Sequence, residues 1–135
     1  MAIKNSKDFL EECWFLYGVR IGPLYIGRLK YVSQGTAGSV DFDWQPAMDK
    51  KVIGWYHTHP GEDFTTPSAT DHKTMRSWVK GRGDLMLCGI KSGDSQKCYA
   101  FYRSDGTAIL YNVMVSFLTG NFFVGMLTLD ERVSI

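Results

Sequence analysis

Cysteine, net charge and long hydrophobic runs are all scarce in this 135-residue sequence. Its three cysteines are odd in number and lack the short paired spacing of a zinc knuckle, which indicates a reducing compartment and hence a cytoplasmic protein. They lie in apolar segments and are expected to be small core residues. Fifteen Lys and Arg against 14 Asp and Glu leave a formal charge of +1 without a basic block. Nucleic acid and anionic membranes are therefore not expected as main partners.

The most apolar stretch, residues 113–127, is shorter than the ~20 residues that cross a bilayer. We interpret it as core or as a contact surface. For the aromatic run at 117–123 the alternatives are core, a homodimer surface and a partner groove, of which core is favoured. The first nine residues have two lysines but lack the apolar stretch of a secretory signal. With no repeat or linker, residues 1–135 are expected to form one domain that buries roughly two-thirds of its unfolded surface.

Apolar patterning predicts the order helix, strands, helix, strands. Ser6 is expected to cap a short helix that runs to Glu11, and a buried strand follows at 13–17. A second helix is predicted from Ser68 to Gly81. The other predicted strands are 23–32, 39–44, 52–57, 85–90, 99–102 and 107–115. This order predicts an α+β (α/β sandwich-like) domain with a central, mostly antiparallel sheet flanked by helices.

All three histidines, His57, His59 and His72, fall within sixteen residues of one another. Residues two apart in a strand point to the same side, so His57 and His59 can present ring nitrogens to one point. Asp71, in the first turn of the second predicted helix, can be brought back over them by the intervening loop. Two histidines and a carboxylate make an open zinc site, with one Zn²⁺ per chain and a fourth position left for water.

Hydrolysis of an amide at such a site also requires a base and a donor to the oxyanion. Glu11, at the end of the first predicted helix, is a candidate base, and its neighbour Glu12 is the rival. The Ser68 hydroxyl is the candidate oxyanion donor. Because zinc provides the attacking water, Ser68 is not expected to act as a nucleophile.

Taken in order, these residues resemble the JAMM (MPN-plus, Mov34-like) zinc metalloproteases. That family has an upstream Glu, then His-x-His-Pro, then Ser-x-x-Asp, which here correspond to Glu11, residues 57–60 and residues 68–71. Gly54-Trp55-Tyr56 before the first histidine and the apolar strand that closes on Gly18 also match. The resemblance assigns the base to Glu11 rather than Glu12. It covers residues 9–115, whereas residues 116–135 match nothing in the family.

The chain departs from the family pattern in one place. Seven residues, 61–67, separate Pro60 from Ser68, one more than is usual. Since the spacer is a loop, the extra residue can bulge outward without moving Ser68 or Asp71. The longer loop leaves His72 as an alternative ligand.

The resemblance implies an isopeptidase or peptidase that cleaves after the C-terminal glycine of a ubiquitin or ubiquitin-like protein. The compact chain is similar to prokaryotic members, which act beside E1-like enzymes in sulfur-carrier processing or antiviral conjugation. An extended Gly-Gly tail is expected to lie along a sheet edge at the site. One alternative is a non-catalytic scaffold of the MPN type, which the complete metal set disfavours. The other is a DNA-repair-associated relative, which the near-neutral charge disfavours.

Overall fold

The computed structural model describes residues 12–34, 49–82, 85–104 and 107–134. Within these residues there are seven β-strands, one α-helix and a short 3-10 turn at Thr119–Asn121 between the last two strands. In chain order they are β1 (Glu12–Ile21), β2 (Leu24–Gln34), β3 (Val52–Thr58), α1 (Ala69–Arg82), β4 (Met86–Ser92), β5 (Ser95–Ser104), β6 (Thr107–Phe117) and β7 (Phe122–Ser134). The predicted first helix and the predicted strand 39–44 lie outside the described residues.

The seven strands form a closed barrel in the order β1-β2-β7-β6-β5-β4-β3, with β3 pairing back to β1. Neighbouring strands are antiparallel except β3 and β4, which are parallel because α1 crosses between them. β3 is therefore hydrogen-bonded on both sides, with His57 opposite Cys13 of β1 and Ile90 of β4.

The predicted α+β sandwich with helices flanking a sheet is wrong, because the described chain is a closed barrel with one helix packed on its outside. The strands that were predicted within the described residues are longer than expected, since β1 continues to Ile21 and β5 starts at Ser95, and the last strand, β7, was not predicted. Long, twisted strands allow a sheet to curl until its first and last members pair. Alternating polarity is the same in an open and a closed sheet, so the pattern could not distinguish them.

Two apolar cores lie on opposite faces of the barrel wall. One is formed inside the barrel by residues such as Leu16, Tyr56 and Phe123. The other packs the outer surface against α1 and includes Phe15, Trp55 and Trp78. Because successive residues of a strand alternate between faces, Trp55 and His57 lie on the helix side while Tyr56 faces the barrel interior.

The interpretation of the aromatic run 117–123 as core is wrong for all of its residues except Phe123. Phe123 is 1% exposed, but Phe117, Leu118 and Phe122 are 38%, 54% and 45% exposed. These residues surround the 3-10 turn that connects β6 to β7, and all of residues 116–122 are exposed there. The stretch therefore contributes both to the barrel core and to an exposed apolar surface.

Two further expectations concern the core and the membrane. Cys13, Cys88 and Cys98 are free thiols and all three are buried, as predicted. Among the helices of the described residues, none combines the length and the apolar character needed to span a membrane.

Candidate metal centre

The end of β3 and the start of α1 bring His57, His59 and Asp71 to one point. The two Nε2 atoms are 3.1 Å apart. Asp71 Oδ1 lies 3.1 Å from His57 Nε2, and Asp71 Oδ2 lies 3.0 Å from His59 Nε2. The residues are only 2%, 7% and 5% exposed. The structure thus places the three predicted ligands in a single buried cluster.

His57 is fixed by the sheet and by a neighbouring ring. Its backbone lies between β1 and β4, and the Trp55 indole stacks on its imidazole at 4.1 Å with an interplanar angle of 18°. The ladder continues past the end of β3, where the N–H of His59 donates to the carbonyl of Lys91 at 2.8 Å. Both histidines therefore lie at the C-terminal end of β3, where the backbone is held by hydrogen bonds to neighbouring strands.

The His59 ring is oriented by the loop that follows it. Its Nδ1 lies 2.9 Å from the carbonyl oxygen of Phe64. A carbonyl can only accept, so Nδ1 carries the hydrogen in this contact. In the neutral ring, Nε2 then has a lone pair directed at Asp71.

Asp71 is held by a capping box at the start of α1. The N–H of Asp71 donates to Ser68 Oγ at 3.1 Å, and the N–H of Ser68 donates to Asp71 Oδ2 at 2.9 Å. This reciprocal pair satisfies free amides of the first helical turn, which confirms the predicted helix start. The capping contacts that begin α1 therefore also direct the Asp71 carboxylate toward the two histidines.

The electrostatics of the cluster favour an ionised carboxylate beside an uncharged ring. Burial raises the pKa of Asp71, but the hydrogen bond with His57, together with that from the Ser68 N–H, outweighs it and holds the pKa well below its usual range. Burial lowers the pKa of His57, despite the opposing hydrogen bond with Asp71. These are the protonation states in which carboxylate and imidazole bind metals.

The donor set fits a zinc ion in both geometry and chemistry. Bonds of 2.0–2.1 Å to a tetrahedral zinc place neighbouring ligand atoms about 3.3 Å apart. The two Nε2 atoms are 3.1 Å apart, each faces one of the two Asp71 oxygens at 3.0–3.1 Å, and one ligand atom from each residue can be chosen so that all three lie within 4.8 Å of one another. Without a cation or an extra proton, the lone pair of His59 Nε2 would face a carboxylate oxygen at 3.0 Å, which is repulsive. The three residues converge on the position that a metal would occupy.

Ser68 and the start of β1 border the cluster. Ser68 is half-buried, and because its Oγ accepts from Asp71, its hydroxyl hydrogen can donate elsewhere. Glu11 lies outside the described residues. The N–H of its neighbour Glu12 donates to Oγ1 of Thr58, the residue between the two histidines, at 2.7 Å.

The alternative ligand, His72, does not join the cluster. It is half-buried on α1, and its ring makes an edge contact with Phe101 at 5.5 Å between ring centres. Burial, and then the nearby Arg76, lower the pKa of His72. The longer loop has therefore left Asp71, rather than His72, facing the two histidines.

The expected sheet edge for a substrate tail is missing from the strand that carries the site. Residues 52–57 of β3 pair with β1, and residues 54–58 pair with β4. Within the described chain the barrel closes completely, so β3 offers no unpaired edge to an extended peptide. The expectation that an extended tail lies along a sheet edge at the site is therefore wrong for β3.

Sequence reasoning missed the groups that support the ligands. The Phe64 carbonyl is a backbone atom and gives no signal in a residue pattern. Trp55 was assigned to the motif but not to stacking on His57. Tyr99, whose hydroxyl donates to the Thr65 carbonyl in the loop after His59, looks like an ordinary strand residue. Its alternation with its neighbours could have placed it on the same face as α1, but not against the loop.

The fold and the site together define a closed β-barrel with a buried cluster of two histidines and one carboxylate outside its wall. No protein-family model matches the chain, and a search of curated proteins found no significant relative.

Proposed function

We propose that this protein is a zinc-dependent isopeptidase or peptidase of the JAMM type, which hydrolyses the bond after the C-terminal glycine of a ubiquitin or ubiquitin-like protein. The observation that carries the proposal is the convergence of His57, His59 and Asp71 in a buried site, where one ligand atom from each residue lies within 4.8 Å of the others. Zinc bound by these atoms would polarise a carbonyl and lower the pKa of a water toward ~7.

Ser68 is proposed to stabilise the developing oxyanion. Its Oγ is engaged as an acceptor by the Asp71 N–H, which leaves its one hydrogen to donate to substrate. The position at the start of α1 adds the favourable end of the helix dipole for negative charge. Ser68 therefore has a donor role and needs no covalent bond to substrate.

Glu11 is proposed as the base that takes the proton of the attacking water and passes it to the leaving amine. The assignment comes from the resemblance to the family. It is supported by the hydrogen bond between the Glu12 N–H and Thr58 Oγ1, which ties the beginning of β1 to the residue between the two histidines. A base must lie within hydrogen-bond reach of the proton it removes.

The substrate is proposed to present an extended tail ending in Gly-Gly. Glycine allows the backbone to approach a buried site closely, which a branched side chain would prevent. Because β3 is paired on both sides, the tail would cross the barrel end rather than add a strand. We place this activity in the cytoplasm, beside an E1-like activating enzyme that works on the same ubiquitin-like protein.

The test uses ubiquitin-like proteins ending in Gly-Gly, each fused through the last glycine to a fluorescent reporter. The zinc-loaded protein should cut after that glycine, and removal of zinc by a chelator should stop the reaction until zinc is restored. Replacing the last glycine of the substrate with valine should protect it. Cleavage that persists in zinc-free protein would refute the metal mechanism, and equal cleavage of the valine substrate would refute the glycine specificity.

A further inference from the structure

Tyr99 of β5 reaches the loop that orients His59. Its side chain is buried on the helix side of the sheet, and its hydroxyl donates to the Thr65 carbonyl at 3.0 Å. The preceding carbonyl, that of Phe64, accepts from His59 Nδ1 at 2.9 Å. Two consecutive carbonyls of the loop are therefore bound, one by Tyr99 and the other by the histidine.

The hairpin formed by β4 and β5 holds the same loop at its other end. Ser92 Oγ donates to the Gly61 carbonyl at 3.1 Å, and the Asp63 N–H donates to the Ser92 carbonyl at 3.4 Å. The Ser95 hydroxyl also donates to the Asp63 carboxylate. Asp63 has a φ of +60°, a conformation that costs energy outside glycine and needs support from its surroundings.

These contacts make the orientation of His59 depend on β5. A rotation of the His59 ring would carry Nε2 away from His57 and Asp71, and the Phe64 carbonyl opposes that rotation. The Phe64 carbonyl is itself fixed only if the peptide that joins it to Thr65 is fixed. Tyr99 supplies a buried hydrogen bond to the next carbonyl along the chain, that of Thr65, and so restrains the residue that follows Phe64.

We propose that Tyr99 is a positioning residue of the metal centre, which holds the Phe64–Thr65 segment so that His59 presents Nε2 to the metal. The inference rests on the metal site of the proposed function but does not depend on peptidase activity. Loss of a group that supports a metal ligand typically weakens metal binding by 10- to 100-fold. Since Tyr99 acts through one intervening peptide, we expect about a 10-fold effect.

The chain provides a matched control for the loss of one tyrosine hydroxyl. Tyr56 donates from its hydroxyl to Gln96 Oε1 at 2.8 Å, but it faces the barrel interior, on the other side of β3 from the metal centre. Tyr99→Phe and Tyr56→Phe each remove one hydroxyl and one hydrogen bond and retain the packed ring. A typical cost of about 1 kcal/mol in the free energy of unfolding is expected for both.

The experiment measures the zinc dissociation constant of the full chain by competition with a chromogenic chelator. Tyr99→Phe should raise that constant about 10-fold, and Tyr56→Phe should leave it within about twofold of wild type. In the metal-free protein, the ¹⁵N shifts of the His59 ring should move toward a mixture of tautomers only in Tyr99→Phe. The visible spectrum of bound Co²⁺ should change in the same variant only.

The possible failures are distinguishable. If wild type binds zinc and Tyr99→Phe binds it equally well with an unchanged His59 spectrum, the positioning role is refuted while the proposed function stands. Equal weakening in Tyr99→Phe and Tyr56→Phe would also refute it, because the effect would then follow stability alone. If wild type binds no zinc, both this inference and the proposed function are wrong.

Discussion

Replacing Asp71 with asparagine tests the ligand set while leaving the helix start intact. The asparagine side chain keeps an oxygen that can accept the Ser68 N–H, so the capping contact is retained. It removes the negative charge that faces His57 and His59 at 3.1 and 3.0 Å. Metal-free Asp71→Asn should therefore fold, whereas its stabilisation by zinc should be lost.

The size of the effect follows from mass action. Zinc at 100 times its dissociation constant stabilises a one-site protein by about 2.7 kcal/mol. For a chain of this length, about 4 °C per kcal/mol gives a rise in Tm of about 10 °C. Losing a group that only supports a ligand weakens binding by up to ~100-fold, so losing the carboxylate itself should weaken it at least as much. The same zinc concentration would then supply only about 0.4 kcal/mol, or about 2 °C.

Differential scanning fluorimetry with and without zinc measures this difference, and elemental analysis of the purified protein should give about one zinc per wild-type chain. His72→Gln is the matched control, because His72 adjoins Asp71 on α1 but faces Phe101. It should keep the whole zinc-dependent shift. A full shift in Asp71→Asn together with its loss in His72→Gln would show that the longer loop has moved the ligand set by one residue.

Three further predictions concern groups around the site and in the core. Ser68→Ala should keep zinc but lose about 1 kcal/mol in the free energy of unfolding, because the helix cap is removed. Its turnover should be ~100-fold slower, because the oxyanion loses a donor. An acyl-enzyme trapped on Ser68 of wild type would refute the donor role. Glu11→Gln should keep zinc but lose ~100- to 10,000-fold in turnover, while Glu12→Gln stays near wild type, and the reverse result would assign the base to Glu12. Burial raises the pKa of Cys98 to about 12, so its thiolate fraction at pH 8 is about 10⁻⁴. Maleimide should therefore label Cys98 only after unfolding, and labelling of Cys98 in the folded protein at pH 8 would contradict this.

The sequence predicted the site better than it predicted the fold, for physical reasons. His57, His59 and Asp71 are separated by one strand end, one loop and one helix cap, all of which have local signals. Closure of the barrel depends instead on strand length and twist. The exposed C-terminal end of β1, with Val19 and Ile21 at 56% and 62% exposure, has no buried side chains to mark it as a strand. The polar residues 95–97 at the start of β5 likewise lie outside the predicted strand 99–102.

The supports of the site were unpredictable for a different reason. His59 is oriented by the backbone carbonyl of Phe64, a group that every residue type has, so the residue type at position 64 could not have predicted this contact. Tyr99 meets Thr65 only because the β4–β5 hairpin folds against a loop more than thirty residues earlier in the chain. Local patterns specify which atoms can act as ligands, whereas the arrangement of distant strands specifies how firmly they are held.

The position of β3 between β1 and β4 also has a kinetic consequence. The β1–β2 hairpin and the strands from β4 to β7 pair with neighbours in sequence, whereas β3 must find β1 across β2 and β4 across α1, and β2 must find β7 across most of the chain. Such non-local pairings close large loops and form slowly. We expect these long-range pairings, which include both pairings of the strand that carries His57, to form late, after the folding transition state. Contacts that form late affect mainly the unfolding rate, so bound zinc should lengthen the lifetime of the native barrel without making it fold faster.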